Sequence, residues 1–288
     1  MSWQVTTAFV KQFSDTVSIL TQQQTSRLEP YVRVETIRGS EAYFDQISAT
    51  AASKVTSRHA DTVYTSTPHA RRRVTPVKYV WADLIDDFDK VRMLIDPTNS
   101  YTQNAIMALQ RAKDSEIISA LGGTAYTGAD GTTSVPFPSG QVVATSVGGS
   151  NTNLNLEKLA AAASLLGAAE AEEERYLVVT QSQLDALLTL EKVTSSLYNQ
   201  IQPLVSGTID TFFGFKFIRT QLLSKSGNTR YCYAFTREGI LLAMGKDVTA
   251  SIDRLPQKNN STQVMVEGVF GATRMDENRV VQIQCYEA

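Results

Sequence analysis

Two histidines and two cysteines are all that 288 residues provide. That removes most ways of building a metal centre or a nucleophile with its base. His59 and His69 lie in a polar stretch where no cleft is expected, so neither has the setting of a general base. Cys232 and Cys285 sit in apolar, strand-like runs without metal-ligand spacing and are expected to be buried free thiols. No apolar run approaches the ~18 residues that suggest a membrane span. The N-terminus has no basic region followed by an apolar core, so no secretory signal is read there. The protein is expected to stay where it is made. Neither charge dominates: 27 basic and 29 acidic side chains leave a formal net charge of −2, whereas a dedicated nucleic-acid binder carries a basic surplus.

Local signatures of catalysis are equally scarce. Gly245-Lys246 is followed by Asp247, with no glycine five residues before Gly245, so it is not a phosphate-binding loop. GADG at 128–131 suits a turn and lacks the repeated acids of a calcium loop. Glu172-Glu173-Glu174 reads as a solvated helix end, and no serine occupies a nucleophile elbow. No catalytic residue, cofactor or metal is expected, and the chain is not read as an enzyme. What is present is an ordinary globular composition, 42% hydrophobic and 19% charged, ample for one elaborate domain or two subdomains.

Along the chain, Phe9, Phe13, Val17 and Leu20 fall at helical spacing and predict an amphipathic N-terminal arm that docks elsewhere. Alternation over Tyr31–Arg38 predicts a strand, and residues 71–82 its returning partner, with Val77, Tyr79 and Trp81 on one face. Pro76 places that strand at an edge or on a bulge. The residues between are polar, so the pair is expected to project, with little of 40–67 in the core. Asp83 is read as the N-cap of a short helix carrying Leu84, Phe88 and Val91. Residues 98–121 form the clearest helix, roughly 36 Å long, closed by Gly122-Gly123. From Leu154 the pattern alternates: helix, the strand RYLVVT, helix, strand-turn-strand over GTIDTFFGFKFIRT, the strand RYCYAF and a short helix REGILLAM. This implies a small sheet flanked by helices. Two strands, TQVMVEGVFGATR and RVVQIQCY, close the chain.

The stretch HARRRVTPVKYVWADLIDDFDKVRM, from His69 to Met93, orders a basic ribbon, a hydrophobic edge and an acidic segment end to end. Arg71, Arg72 and Arg73 have three readings: a nucleic-acid patch, pairing with a neighbour's acidic surface, or a solvated ribbon. Intersubunit pairing is preferred, because the ribbon offers no aromatic stacking partners and acids follow closely. Such complementarity sets register and orientation more than affinity.

Taken in order, the elements resemble the major capsid proteins of tailed bacteriophages, the Hong Kong 97-type fold. The resemblance covers essentially the whole chain. Its pieces are FVKQFSDTVSILTQQQTSRLEPYV at the arm, KYVWADLIDDFD before the long helix, and QRAKDSEIISALGG at its end. VTQSQLDALL, GFKFIRT and VEGVFGATRMDENRVVQI follow. It implies an α+β fold with an N-terminal arm (1–32), an extended β-hairpin loop (33–82), and a peripheral domain (83–149) with a spine helix at 98–121. An axial α/β domain (150–245) and peripheral return strands (246–288) complete it.

The function implied is a structural subunit that self-assembles into the pentamers and hexamers of an icosahedral head enclosing double-stranded DNA. The alternative on the same fold is an encapsulin-like nanocompartment shell. Intersubunit contact candidates are Arg71, Arg72, Arg73, Lys78, Asp83, Asp86, Asp87, Phe9 and Phe13. The principal partner is the chain itself, with portal, scaffold and cement proteins as further candidates. DNA would be touched weakly and without specificity, and a membrane not at all. The implied location is the virion capsid, assembled in the host cytoplasm. Some members cross-link the loop to a neighbour by a Lys–Asn isopeptide bond assisted by glutamate. Lys54 lies in the loop here, but Glu267 sits in the wrong register and no asparagine matches, so non-covalent reinforcement is expected. The arm begins at Met1 without a long charged leader, so a fused, cleaved scaffold is not expected.

Overall fold

The computed structural model describes residues 22–59, 61–85, 98–171, 174–189 and 211–287. The helix expected over 3–20, with Phe9 and Phe13, lies outside the described residues, as do Asp86 and Asp87. Contacts divide the chain into two units. One takes Met1–Ser26, Val77–Lys113 and Lys246–Phe270; the other takes Arg27–Pro76, Asp114–Gly245 and Gly271–Ala288.

The larger unit begins with a 3-10 turn at Glu29–Tyr31, Pro30 in its first turn, and the strand β1 (Arg33–Thr36). The antiparallel pair β2 (Ala42–Ile47) and β3 (His69–Val74) follows. This corrects the expected pairing of Tyr31–Arg38 with 71–82. The returning stretch is broken at Thr75-Pro76 into β3 and β4 (Val77–Ile85), because proline cannot donate to a ladder. Gly271 permits the crossing there: a Cβ on it would lie 2.8 Å from the Thr75 carbonyl oxygen.

Helix α1 (Thr98–Gly122) matches the expected spine, at roughly 37 Å of axial rise. The two glycines at its end are required for a reason other than a left-handed cap. Neither has positive φ, but a Cβ on Gly122 would collide with the Tyr233 hydroxyl, and one on Gly123 would lie 2.6 Å from the Ser119 carbonyl. After α1, β5 (Ala125–Thr127) and β6 (Thr133–Val135) make a hairpin that extends the β2–β3 pair into a four-stranded sheet. GADG is indeed its turn, with the Gly131 N–H donating to the Gly128 carbonyl at 3.1 Å.

The main sheet of this unit has the order β7-β15-β12-β8-β10-β9, with β11 paired to β12. Its strands are β7 (Val142–Val143), β8 (Arg175–Val179), β9 (Thr211–Phe212), β10 (Phe215–Arg219), β11 (Lys225–Ser226), β12 (Thr229–Thr236) and β15 (Val280–Tyr286). Helix α2 (Leu156–Ala168) is capped by Asn155, whose Oδ1 accepts from the Lys158 N–H at 2.8 Å. Lys158 itself is fully buried, and its Nζ donates to the carbonyls of Thr152 and Gln284, tying α2 to β15. Helix α3 (Gln181–Leu188) starts from a capping box of Thr180 and Gln183. Cys232 and Cys285 are buried free thiols on adjacent strands. β15, read in the sequence as one of a closing pair, lies between β7 and β12.

A second correction concerns REGILLAM. Arg237–Gly239 is one 3-10 turn, and Ile240–Leu255 is the long strand β13. Ile240 to Ala243 are completely buried, and Leu241–Met244 pair in parallel with β1. A short run that is apolar on both faces carries no period that separates strand from helix.

In the smaller unit, β4 pairs antiparallel with β14 (Ser261–Arg274), from Thr262↔Ile85 to Phe270↔Val77. Tyr79 and Trp81 share the inward face, as expected, and pack with Val266 and Val248 against Ala105, Ile106 and Leu109 of α1. The Tyr79 and Phe270 rings stack at 4.8 Å. Asp83 is a strand residue opposite Val264, not a helix N-cap. The ladder already engages the backbone there, so no helix starts at this point, and its carboxylate accepts from the next residue's N–H, Leu84, at 2.8 Å.

Candidate assembly surface

A strand sends neighbouring side chains to opposite faces, and this divides the three arginines. On the inner face of β2–β3, Ala42, Phe44 and Val74 pack with Ile37, Leu241, Ala243 and Met275. The 40–67 stretch therefore contributes only two side chains, Ala42 and Phe44, both partly buried against this cluster. Arg72 shares this face. It is 7% exposed, donates through both Nη2 contacts to Glu277 at 2.6 and 2.7 Å, and through Nε to the Met275 carbonyl at 3.2 Å. Gln46 donates to the same carbonyl at 2.6 Å. The corner is held from its other side by Arg274, fully buried, which donates to the carbonyls of Gly123, Val135 and Leu121 and sits 3.7 Å from Glu277. Burial lowers the Arg274 guanidinium below its usual value, with the Glu277 charge opposing that shift.

The outer face is a ladder of cations, acids and tyrosines. Arg71 pairs with Asp45 at 3.0 Å and stands 5.9 Å from the Tyr43 ring centre. Arg73 pairs with Glu41 at 3.6 Å and lies 5.0 Å over Tyr126. The ribbon thus does have aromatic partners, contrary to the sequence reading, because β5 delivers Tyr126 opposite Arg73. Tyr43 donates to Glu41 at 3.0 Å, which raises its phenol above the usual value. Gly131 closes over this face, where a Cβ would lie 2.7 Å from Arg73 carbons. Beyond the ladder, every described residue from Ile47 through Arg71 is exposed.

On β4, Lys78 pairs with Glu267 at 2.7 Å, and Lys246 joins the same carboxylate. Hydrogen bonds from Lys246 and then Lys78 hold Glu267 down at about 2. Val80 and Leu84 are half-exposed on the Lys78 face. The structure thus brings Arg71 and Arg73 together, turns Arg72 away from them, and places Lys78 and Asp83 in the other unit. Sequence reasoning missed Glu277 and Met275 as the anchor of the hairpin. The signal available was the alternation of a strand, which separates the middle arginine from its neighbours.

A family model described as phage capsid protein matches residues 5–287. The chain belongs to the phage capsid protein family. Among solved structures, the capsid protein is similar to Mycobacterium phage Che8, with 18% identity, 96% of this chain and 97% of that one covered, and a TM-score of 0.72. It is also similar to the cyanophage Pam1 capsid asymmetric unit, at 14% identity, 98% of each chain and a TM-score of 0.75. A third neighbour is the capsid of a native GTA particle computed with C5 symmetry, at 13% identity, 98% and 96% coverage and a TM-score of 0.69. No curated protein matches. The α+β, Hong Kong 97-type capsid fold expected from the sequence stands, and the role is that of a structural major capsid protein of the virion. The nanocompartment-shell alternative is not favoured.

Proposed function

We propose that this capsid protein assembles with its own copies into the pentamers and hexamers of an icosahedral head around double-stranded DNA. The β2–β3 hairpin and its tip would be the clasp by which one copy holds the next. One observation carries the reading: Ile47, Val55, Val63 and Tyr64 remain 67%, 75%, 70% and 91% exposed in a stretch whose described residues are all exposed. Apolar side chains placed so far from their own core are suited to an intermolecular contact.

In this reading, 33–82 serve as the extended loop, 1–32 as the arm, and 83–149 with the spine as the peripheral domain. Residues 150–245 form the axial domain and 246–288 the return segment. Arg71, Arg73, Lys78, Asp83, Asp86, Asp87, Phe9 and Phe13 are contact candidates, while Arg72 holds the hairpin to its own subunit. Portal, scaffold and cement proteins are the further partners, DNA contact is weak, and assembly takes place in the host cytoplasm. The role is architectural rather than catalytic.

The test replaces residues 49–67 with a two-residue turn, leaving β2, β3 and the Arg72 anchor intact. The variant should melt like the parent subunit and form no closed shells in negative-stain images. Shells of normal size, or an unfolded subunit, would overturn the reading.

A further inference from the structure

We infer that Phe213, at the tip of the β9–β10 hairpin, is a contact residue for a second copy of this chain. The inference rests on the assembly reading above and adds a surface to it. Phe212 pairs with Phe215 across the hairpin, so Phe213 and Gly214 are its entire turn. Both have positive φ, 52° and 77°. A two-residue turn of this kind favours Asn-Gly, because both central residues must take left-handed conformations. Glycine fills the second position as expected. A bulky aromatic in the first is an outlier.

The other non-glycine residues with positive φ, among those described, are His59, Asn151, Glu170, Asn259 and Asn260. All are polar, and three are asparagine, the residue that tolerates this region best. Phe213 alone among them is apolar. Strain of this kind is common where packing within the chain demands the side chain, but Phe213 is 49% exposed. Its ring is 6.4 Å from that of Phe212. Beside it, a Cβ on Gly214 would meet nothing within 4 Å. Among the described residues the hairpin ends the main sheet, since β9 is its last strand. The fold therefore keeps, at a strained position beside the last described strand of the sheet, an aromatic ring that its own subunit half leaves in water. Local rules broken without a gain inside the chain point to a gain outside it.

The size of the feature favours the identity of the occupant. A buried phenylalanine covers about 150–250 Å², far below the roughly 1,200–2,000 Å² of a stable two-body interface. One ring does not sustain an isolated dimer or recruit a separate partner. It suits a contact that every copy both gives and receives around a closed ring, where small terms recur at each interface.

The experiment compares the full-length wild type with F213N and F213Y. Urea midpoints of the unassembled subunits are measured, together with the protein concentration at which assembly begins, by light scattering and negative-stain microscopy. F213N fits the turn better, so its midpoint should equal or exceed that of wild type. Its threshold for assembly should rise by about tenfold, as for loss of an aromatic anchor. F213Y keeps the ring and should behave as wild type. A fall in the F213N midpoint would show that the ring serves its own subunit, and assembly at the wild-type threshold would show that it serves no copy; either overturns the inference. A defect seen only after another protein is added would overturn the choice of occupant. Wild type that assembles beside an equally competent F213N sinks this inference alone, whereas wild type that never assembles sinks the assembly reading and this one with it.

Discussion

Exchanging Glu287 for glutamine removes one charge from the most connected carboxylate near the chain's end. Its side chain is 9% exposed. It accepts from Gln183 at 2.6 Å, Arg230 at 3.1 Å and Thr180 at 3.3 Å, with Lys225 at 3.4 Å. Burial pushes this carboxyl up, but hydrogen bonds from Arg230 and Gln183, the Arg230 charge and Lys225 together outweigh it and hold it down at about 2, against an ordinary 4.5. A difference of about 2.5 units corresponds to about 3.4 kcal/mol. Arg230 and Lys225 are themselves 18% and 33% exposed, so solvent screening brings the expected contribution nearer about 2 kcal/mol. The folded-state value is depressed, so this stability is present above pH 4.5 and is lost as the pH falls toward 2; about a quarter remains at pH 2.5. Urea unfolding of unassembled wild-type and Glu287→Gln subunits should therefore differ by about 2 kcal/mol at pH 7. The gap should narrow steeply by pH 2.5. Glu267 titrates in the same window but is common to both proteins, so it cancels in the difference. A gap that is the same at both pH values, or absent at pH 7, would refute the reasoning.

Arg72→Met should destabilise the subunit by about 3 kcal/mol in urea, because a buried ion pair loses one partner while Glu277 keeps Arg274. Arg71→Glu, at an exposed pair, should change subunit stability by less than about 1 kcal/mol, so any effect on shell yield reads intersubunit contact directly. Equal destabilisation by both would contradict the two-faced hairpin. Gly122→Ala should lower the urea midpoint by the equivalent of about 1–3 kcal/mol, since its methyl group meets the Tyr233 hydroxyl. Adding Tyr233→Phe should recover part of that loss, and no recovery would mean that the helix end is crowded by something else.

The sequence by itself determined the elements whose signal is local. The long helix follows from the length of its run and the Gly122-Gly123 that closes it, matching α1 to within one residue. The turn at GADG, the first two helices after Leu154 and the buried thiols are legible because their signals are local as well. The order of these elements was enough to place the chain among phage capsid proteins. Tertiary structure decided whatever depends on which strand meets which. Ile240 to Ala243 are apolar on both sides, so it is strand pairing, with β1 over Leu241–Met244, and not a period in the sequence that makes this segment a strand. Asp83 has the chemistry of a helix cap, but the β14 ladder claims its backbone. Arg71, Arg72 and Arg73 are indistinguishable as letters. The pleat of β3 and the distant corner at Met275–Glu277 bury the middle one and leave its neighbours facing out. Long-range pairing sets a residue's environment through contacts two hundred positions away, and no window along the chain contains that information.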